Sequence, residues 1–598
     1  MNNNDMLQWN LSPLYTAPDD PAWDQDLQEA TRLAGQFRKD YRGKMGSPDL
    51  DADTLASALE DYQQLQRKVL LPYLYAQLLF SGDSEPDQHK RLVAKVREVW
   101  GGITEQTLFF ELELLQLEED HFNGLLKTDQ VSPSTHYLQQ LRAHAPYTLQ
   151  EEVEQALKRK DLSGREAFVQ LFDELTSSLS YRFRMPGEGE ERDVSGEELL
   201  GLLYHPDRAA RRDAFTTFLQ KHADNALVLT SCFNNILLDH GKEAELRSYP
   251  DLMTPTHLSS ETEPEMVERM MAVTEENVGL AQDYFALKRQ LLDLPELYNT
   301  DLYAPVGNSG RTFTIDEART LVHDAFASFS PRMAEMADGF FAERRVDVLP
   351  RPGKSGGAFC MGMMPGYLPY VLLNFTGTLR DVSTLAHEFG HGIHSSLSQG
   401  QNLFQYHAPL PLAETASVFG EMLLTRHLLD RENDRQVKIE LLCAKLEDII
   451  ATTFRQTVLT RFEQVAHRQR GEGLLSSEQL CELWWSENAK LFGDQVTMIE
   501  PYRWGWSYIS HFIHARFYCY SYVFGELLVL ALYQKYLEEG ESFVPKYLEL
   551  LSQGGSAKPQ AMLDPLGIDL SSPDFWQKGY DFVRSLLDEL RGLLQQND

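Results

Sequence analysis

The chain has 598 residues, 42% of them apolar and 24% charged, and carries a formal net charge of −34. Such a length holds two to four domains or one large helical body, in a composition ordinary for a soluble globular protein. The negative charge is spread along the chain, which argues against nucleic acid or an anionic membrane as partner, since both require positive surface.

The start, MNNNDMLQWNLSPLY, lacks the basic residues and apolar run of a signal peptide. The most apolar window, ELLVLALY at 526–533, is too short to span a bilayer. Cys232, Cys360, Cys443, Cys481 and Cys519 are scattered and odd in number, so they read as reduced thiols. The expected setting is cytoplasmic.

Helical periodicity dominates. Residues 51–80 carry apolar positions at three- and four-residue steps, with an interruption expected at Pro72. Similar runs fill 85–180, 200–240, 262–295, 436–470 and 574–595, so the fold class expected is mainly α. Between them, YRFRMPGEGEERDV at 181–194 alternates and turns at Pro186-Gly187, which predicts a small hairpin. It suggests a hinge between an N-terminal helical domain, 1–195, and a catalytic domain, 196–598. Further on, RPGKSGGAFC at 351–360 is glycine-rich but lacks the Walker spacing, and its Lys-Ser does not open a helix. An extended run, VLLNF, follows at 371–375. It is either a strand edge that could pair with an extended peptide or a structural strand under the next helix.

That helix carries the chemistry. TLRDVSTLAHEFGHGIHSSL has Thr378 to cap it, Asp381 in its first turn, and Leu385, Phe389 and Ile393 as an apolar stripe. Within it, His387 and His391 lie four apart, about 6 Å on one helical face, and can pinch one metal ion. Glu388 sits beside the first ligand, placed to take a proton from water activated by zinc. This is the HExxH arrangement of zinc peptidases. His394 shares the face but lies about 10 Å beyond His387, too far to converge on the same ion, and the metzincin spacing is absent. A third ligand is needed. The segment PLAETASVFGEMLLTRHLLD at 411–430 reads as one helix and offers Glu414 and Glu421, seven apart on one face. Spacing does not choose between them.

Several stretches together resemble the oligoendopeptidase F branch of the thimet-oligopeptidase-like zinc peptidases: GGAFC, PYVLLNFTGTLRDVSTLAHEFGHGIHS, ETASVFGE, HFIHARFYCYSYVFGELL and YLELLSQGGS. The resemblance runs over nearly the whole chain. It implies one zinc ion on His387, His391 and Glu414, with Glu388 as general base and Glu421 in support. It also implies an almost wholly helical, two-lobed body around a deep channel, with a strand edge beside the metal, and cleavage of short peptides rather than folded proteins. In ISHFIHARFYCYSYVFGELL at 509–528, read as one helix, His511, Tyr518 and Tyr522 fall on one stripe, with His514 beside them and Tyr520 opposite. The resemblance makes that stripe the donor set for the oxyanion of the reaction, rather than a buried aromatic face.

The function expected is therefore a zinc metallo-endopeptidase acting on oligopeptides, with no nucleic-acid or membrane partner and no oligomeric state implied. A zinc carboxypeptidase or dipeptidyl-type hydrolase is the alternative among enzymes. A peptide-binding protein without catalysis is the alternative outside them, though a binder has no use for Glu388.

Overall fold

A computed structural model of the chain describes residues 7–307 and 311–595. The fold is mainly α, with two small sheets. Contacts divide it into two compact units, each assembled from three separate stretches. The first takes Met1–Pro146, Arg311–Arg431 and Lys535–Ile568; the second takes Tyr147–Gly310, Glu432–Gln534 and Asp569–Asp598.

A boundary at 195/196 therefore falls inside the second unit. The hairpin itself forms: β1 (Tyr181–Phe183) pairs antiparallel with β2 (Arg192–Val194), in register Tyr181 to Val194. Its inward residues explain its place. Tyr181 and Val194 are buried, and Tyr181 stacks on Phe218 of the helix Arg208–Asp224, ring centres 5.7 Å apart. The hairpin is thus anchored to the helices that follow it rather than left as a free linker.

In the first unit the helices Pro21–Tyr41, Ala52–Gly82 and Asp87–Leu114 build the N-terminal core. Pro72 does not interrupt the second of these, contrary to the sequence expectation. A proline inside a helix costs about 3 kcal/mol. Its neighbours Leu71, Leu74, Tyr75 and Leu78 are all buried, each contributing about 1.5–3 kcal/mol, and this outweighs the cost. The Trp23 indole N–H donates to the Pro72 carbonyl at 3.0 Å and ties the first helix to that point.

The three-stranded sheet has the order β3 (Val346–Asp347), β5 (Tyr370–Leu372), β4 (Phe359–Met361). β5 is parallel to β3 and antiparallel to β4. The glycine-rich segment between β3 and β4 binds no phosphate through its lysine. The Lys354 ammonium is buried, ion-paired with Asp347 at 2.7 Å and donating to the carbonyls of Asp347, Leu349 and Leu373.

The apolar window at 526–533 lies in the helix Tyr520–Glu539 and is buried on every side, which accounts for its lack of a polar face. Among the described residues no helix is long and apolar enough to cross a membrane. All five cysteines are free thiols.

Candidate metal centre and active site

The HEFGH helix spans Leu379–Leu397. Thr378 and Asp381 form a reciprocal capping box at its start, and Leu385, Phe389 and Ile393 are buried. One turn apart on its other side, the His387 and His391 rings stand edge to face, with Nε2 facing Nε2 at 3.2 Å. Glu414 Oε2 completes a triangle, 3.5 Å from His387 Nε2 and 3.4 Å from His391 Nε2. Zinc at 2.0–2.1 Å from tetrahedral N and O ligands sets those ligands about 3.3 Å from one another. The triangle has those edges, and two imidazoles with one carboxylate are a zinc donor set. Among the described residues these three are the group whose atoms could hold a metal ion.

Glu414 reaches this position because the segment 411–430 is not one helix, as its periodicity suggested. A short helix, Leu410–Ala413, ends; Glu414 stands at the junction; a second helix, Thr415–Arg431, begins. The break separates the two carboxylates. Glu414 faces Nε2 of both histidines, whereas Glu421 lies 2.6 Å from Nδ1 of His387. The Glu421 carboxylate accepts a hydrogen bond from Nδ1–H, which leaves the Nε2 lone pair for a metal. Charge explains the effect on the ring: burial lowers the His387 pKa, but the Glu421 hydrogen bond and the charges of Glu421 and Glu414 outweigh it and push it up to about 9. Ser417, which sequence reasoning left without a role, donates its hydroxyl to Glu414 Oε2 at 2.7 Å and fixes the carboxylate. The E-x-x-S spacing of ETAS was its signal.

Glu388 is 6% exposed. Burial, with the charge of Glu414, pushes its carboxyl up to about 7, against the charge of His387 and a hydrogen bond from the Cys360 backbone. Cys360 belongs to β4, the edge strand. Of the two readings of VLLNF, the structure has the structural strand and not the peptide-pairing edge: Tyr370–Leu372 is the central strand, fully buried, and the edge beside the HEFGH helix comes from Phe359–Met361, at the end of the glycine-rich segment. His394 is buried on the same helix, its pKa pushed down to about 3 by burial and the neighbouring His391 and His407, and it stands outside the metal triangle.

In the second unit, 509–528 is not a continuous helix either. A four-residue turn, His511–His514, ends at Ala515, Phe517 takes a left-handed backbone at φ 57°, and the long helix starts at Tyr520. The bend nonetheless gathers the expected residues. His511 Nε2 lies 3.1 Å from the Tyr522 hydroxyl, and Tyr518 stacks on His511 with ring centres 5.9 Å apart. His514 points elsewhere, to the Asp173 carboxylate at 3.0 Å. Tyr520 is fully buried, its hydroxyl bonded to Thr262 at 3.1 Å and to His257 at 3.3 Å.

Residues 201–582 match the family model of peptidase family M3, and residues 113–181 match that of oligopeptidase F. The chain belongs to peptidase family M3. Its place is the oligoendopeptidase F branch. It is 26% identical over 593 residues to oligopeptidase PepF of Bacillus subtilis (strain 168), covering 98% of this chain and 87% of that one. To the chromosomal oligoendopeptidase F of Lactococcus lactis subsp. cremoris it is 24% identical, covering 99% and 98%. The crystal structure of oligoendopeptidase-F from Enterococcus faecium superposes with a TM-score of 0.74 at 23% identity, over 97% of this chain and 100% of that one. The protein is thus a metallopeptidase with the mainly helical fold of that structure.

In this M3 peptidase the glycine of HEFGH sets how closely the two helices of the site approach. A Cβ built on Gly390 would meet the Ala416 carbonyl oxygen at 2.3 Å and the Ser417 Cα at 2.6 Å. These atoms lie two and three residues from Glu414, so separating the helices moves Glu414 from the histidines. Gly390→Ala is expected to lower stability by about 1–3 kcal/mol through overpacking. It should also weaken zinc about tenfold or more, as losses around a ligand do. Thermal unfolding and metal titration check this; a variant with unchanged melting and unchanged affinity would show that the contact is compliant.

Proposed function

We propose that the protein is a zinc-dependent endopeptidase that hydrolyses internal bonds of short, unstructured peptides. The observation that carries the reading is the 3.2–3.5 Å triangle of His387, His391 and Glu414, with Glu388 buried beside it. Zinc bound there supplies Lewis-acid polarisation of the scissile carbonyl and acidification of the attacking water. Glu388 takes the proton of that water and hands it to the leaving amine. Glu421 and Ser417 hold His387 and Glu414 in orientation. The open edge of β4, beside Glu388, offers main-chain groups to an extended peptide. His511, Tyr518 and Tyr522 are read as donors to the oxyanion that forms on the carbonyl.

Hydrolysis of an internally quenched oligopeptide blocked at both ends tests the reading. Cleavage between internal residues is expected. Cleavage only when one end is unblocked would make the protein an exopeptidase, and no cleavage with any peptide would leave a binder.

The donor cluster has its own test. If Tyr522 donates mainly in the transition state, Tyr522→Phe lowers kcat about tenfold to a thousandfold with little change in KM. Tyr520→Phe is the control. It removes the two buried hydrogen bonds to Thr262 and His257, about 1 kcal/mol of stability each, and should leave the rate nearly unchanged. Equal rates for Tyr522→Phe and wild type, or a large loss only at Tyr520, would remove Tyr522 from the reaction.

A further inference from the structure

One of the stretches that carry the resemblance, YLELLSQGGS at 547–556, supplies no member of the metal triangle. Its glycines seat the loop 405–407 instead. A Cβ on Gly554 would meet the Gln405 carbonyl oxygen at 2.4 Å, and one on Gly555 would meet that of His407 at 2.3 Å. The Gly555 N–H donates to the Gln405 carbonyl at 2.7 Å. So seated, the loop lays the His407 ring against Gly362. A Cβ on Gly362 would meet His407 Cε1 at 3.3 Å and Ser395 Oγ, on the HEFGH helix, at 2.9 Å. All of these residues belong to the first unit, as does the metal triangle. Among the described residues the two ring nitrogens of His407 have no hydrogen-bond partner. Tyr406, buried, stands edge-on behind the ring at 4.8 Å. Part of the ring is open to solvent, while the atoms packed around the rest push its pKa down. At pH 7 it is a neutral imidazole with one N–H to donate and one lone pair to accept.

Gly362 lies where a peptide on the β4 edge would pass. β5 directs the N–H groups of Val371 and Leu373 to β3, so it bonds to β4 by pairing Tyr370 with Met361 and Leu372 with Phe359. The main chain of Cys360 then faces the open edge, where its N–H meets Glu388. The same alternation turns the main chain of Gly362, two residues and about 7 Å farther on, the same way. Residues opposite each other in a sheet point their side chains to one face. A peptide strand on this edge therefore places one residue opposite Gly362 with its side chain toward Ser395 and His407. Gly362, having no side chain of its own, leaves the room.

We propose that Gly362, Ser395 and His407 form a subsite for one substrate side chain, about two residues from the bond cut, and that His407 selects there an uncharged hydrogen-bonding group, a hydroxyl or a carboxamide. The inference rests on the endopeptidase reading and adds a specificity to it. The imidazole and the Ser395 hydroxyl offer both donors and acceptors. An apolar side chain of the same shape would cover them and leave them unpaired, which a site built for hydrogen bonds rejects. The atoms nearest the place of the missing Cβ are that hydroxyl and the neutral imidazole, so a charged side chain would find no counter-ion at hand.

Quenched peptides blocked at both ends, cut by the full-length zinc-loaded enzyme, test this. Thr and Val, then Asn and Leu, are exchanged at one position at a time on either side of the bond cut. Each pair keeps its shape and differs in hydrogen bonding. Wild type should favour Thr and Asn at one position by about ten- to a hundredfold in kcat/KM. His407→Phe keeps a ring against Gly362 and removes both nitrogens, so it should bring that ratio to within about twofold of unity or below it. Gly362→Ala fills the room. It should slow the Thr peptide about tenfold or more while sparing one with Gly at that position, and it decides the matter if His407→Phe does not fold. A wild type that discriminates at no position overturns the proposal, as does a preference that survives His407→Phe. Where that variant does not fold, equal slowing of the Gly and Thr peptides by Gly362→Ala overturns it. If no peptide is cut, it is the endopeptidase reading that fails. Calorimetric titration of the zinc-loaded protein with the same pairs then decides the subsite, equal affinities throughout overturning it.

Discussion

Glu388→Gln is expected to bind zinc as wild type does and to lose activity by two to four orders of magnitude in kcat, the range for removing a general acid–base group. The separation of the two effects follows from geometry. Glu388 lies outside the triangle of His387, His391 and Glu414, so an amide in its place takes nothing from the metal. The amide still fills the buried space and still accepts from the Cys360 backbone, so the fold should hold. What it lacks is a basic oxygen to take a proton from water and return it to the amine. Metal analysis and steady-state kinetics on one preparation check both halves. If the variant loses zinc, Glu388 is a ligand; if it keeps full activity, the base is another group.

The second large effect concerns the metal itself. The purified protein should carry about one zinc per chain, and His387→Ala should lose it. Glu414→Gln and Glu421→Gln then separate the two carboxylates that spacing left equivalent. Glu414 contributes an oxygen to the triangle, so its loss leaves two protein ligands and zinc should be lost at ordinary free concentrations. Glu421 meets the ligand set at His387 Nδ1, 2.6 Å away and on the far side of the ring from the triangle, so its amide should weaken zinc about 10- to 100-fold without abolishing binding. A competition titration against a chelator of known affinity ranks the variants. Zinc retained by Glu414→Gln and lost by Glu421→Gln would exchange their roles.

The sequence alone determined what is encoded over short distances. His387 and His391 face one way because a helix repeats every 3.6 residues, and Thr378 and Asp381 cap that helix through atoms three residues apart. The hairpin at 181–194 and the amphipathic helices were legible for the same reason. The tertiary structure decided what depends on partners distant in the chain. Periodicity drew 411–430 and 509–528 as unbroken helices, because an apolar pattern does not register a break; the structure breaks them at Glu414 and between Ala515 and Phe517. VLLNF read as a possible edge, but whether a strand is edge or centre is set by its neighbours, and β3 and β4 flank it. Pro72 read as a stop, until the packing of Leu71, Leu74, Tyr75 and Leu78 outweighed its local cost. Ser417 on Glu414 and Glu421 on His387 are likewise facts of packing. Local spacing fixes which face of a helix a residue occupies, and only the fold fixes what stands opposite.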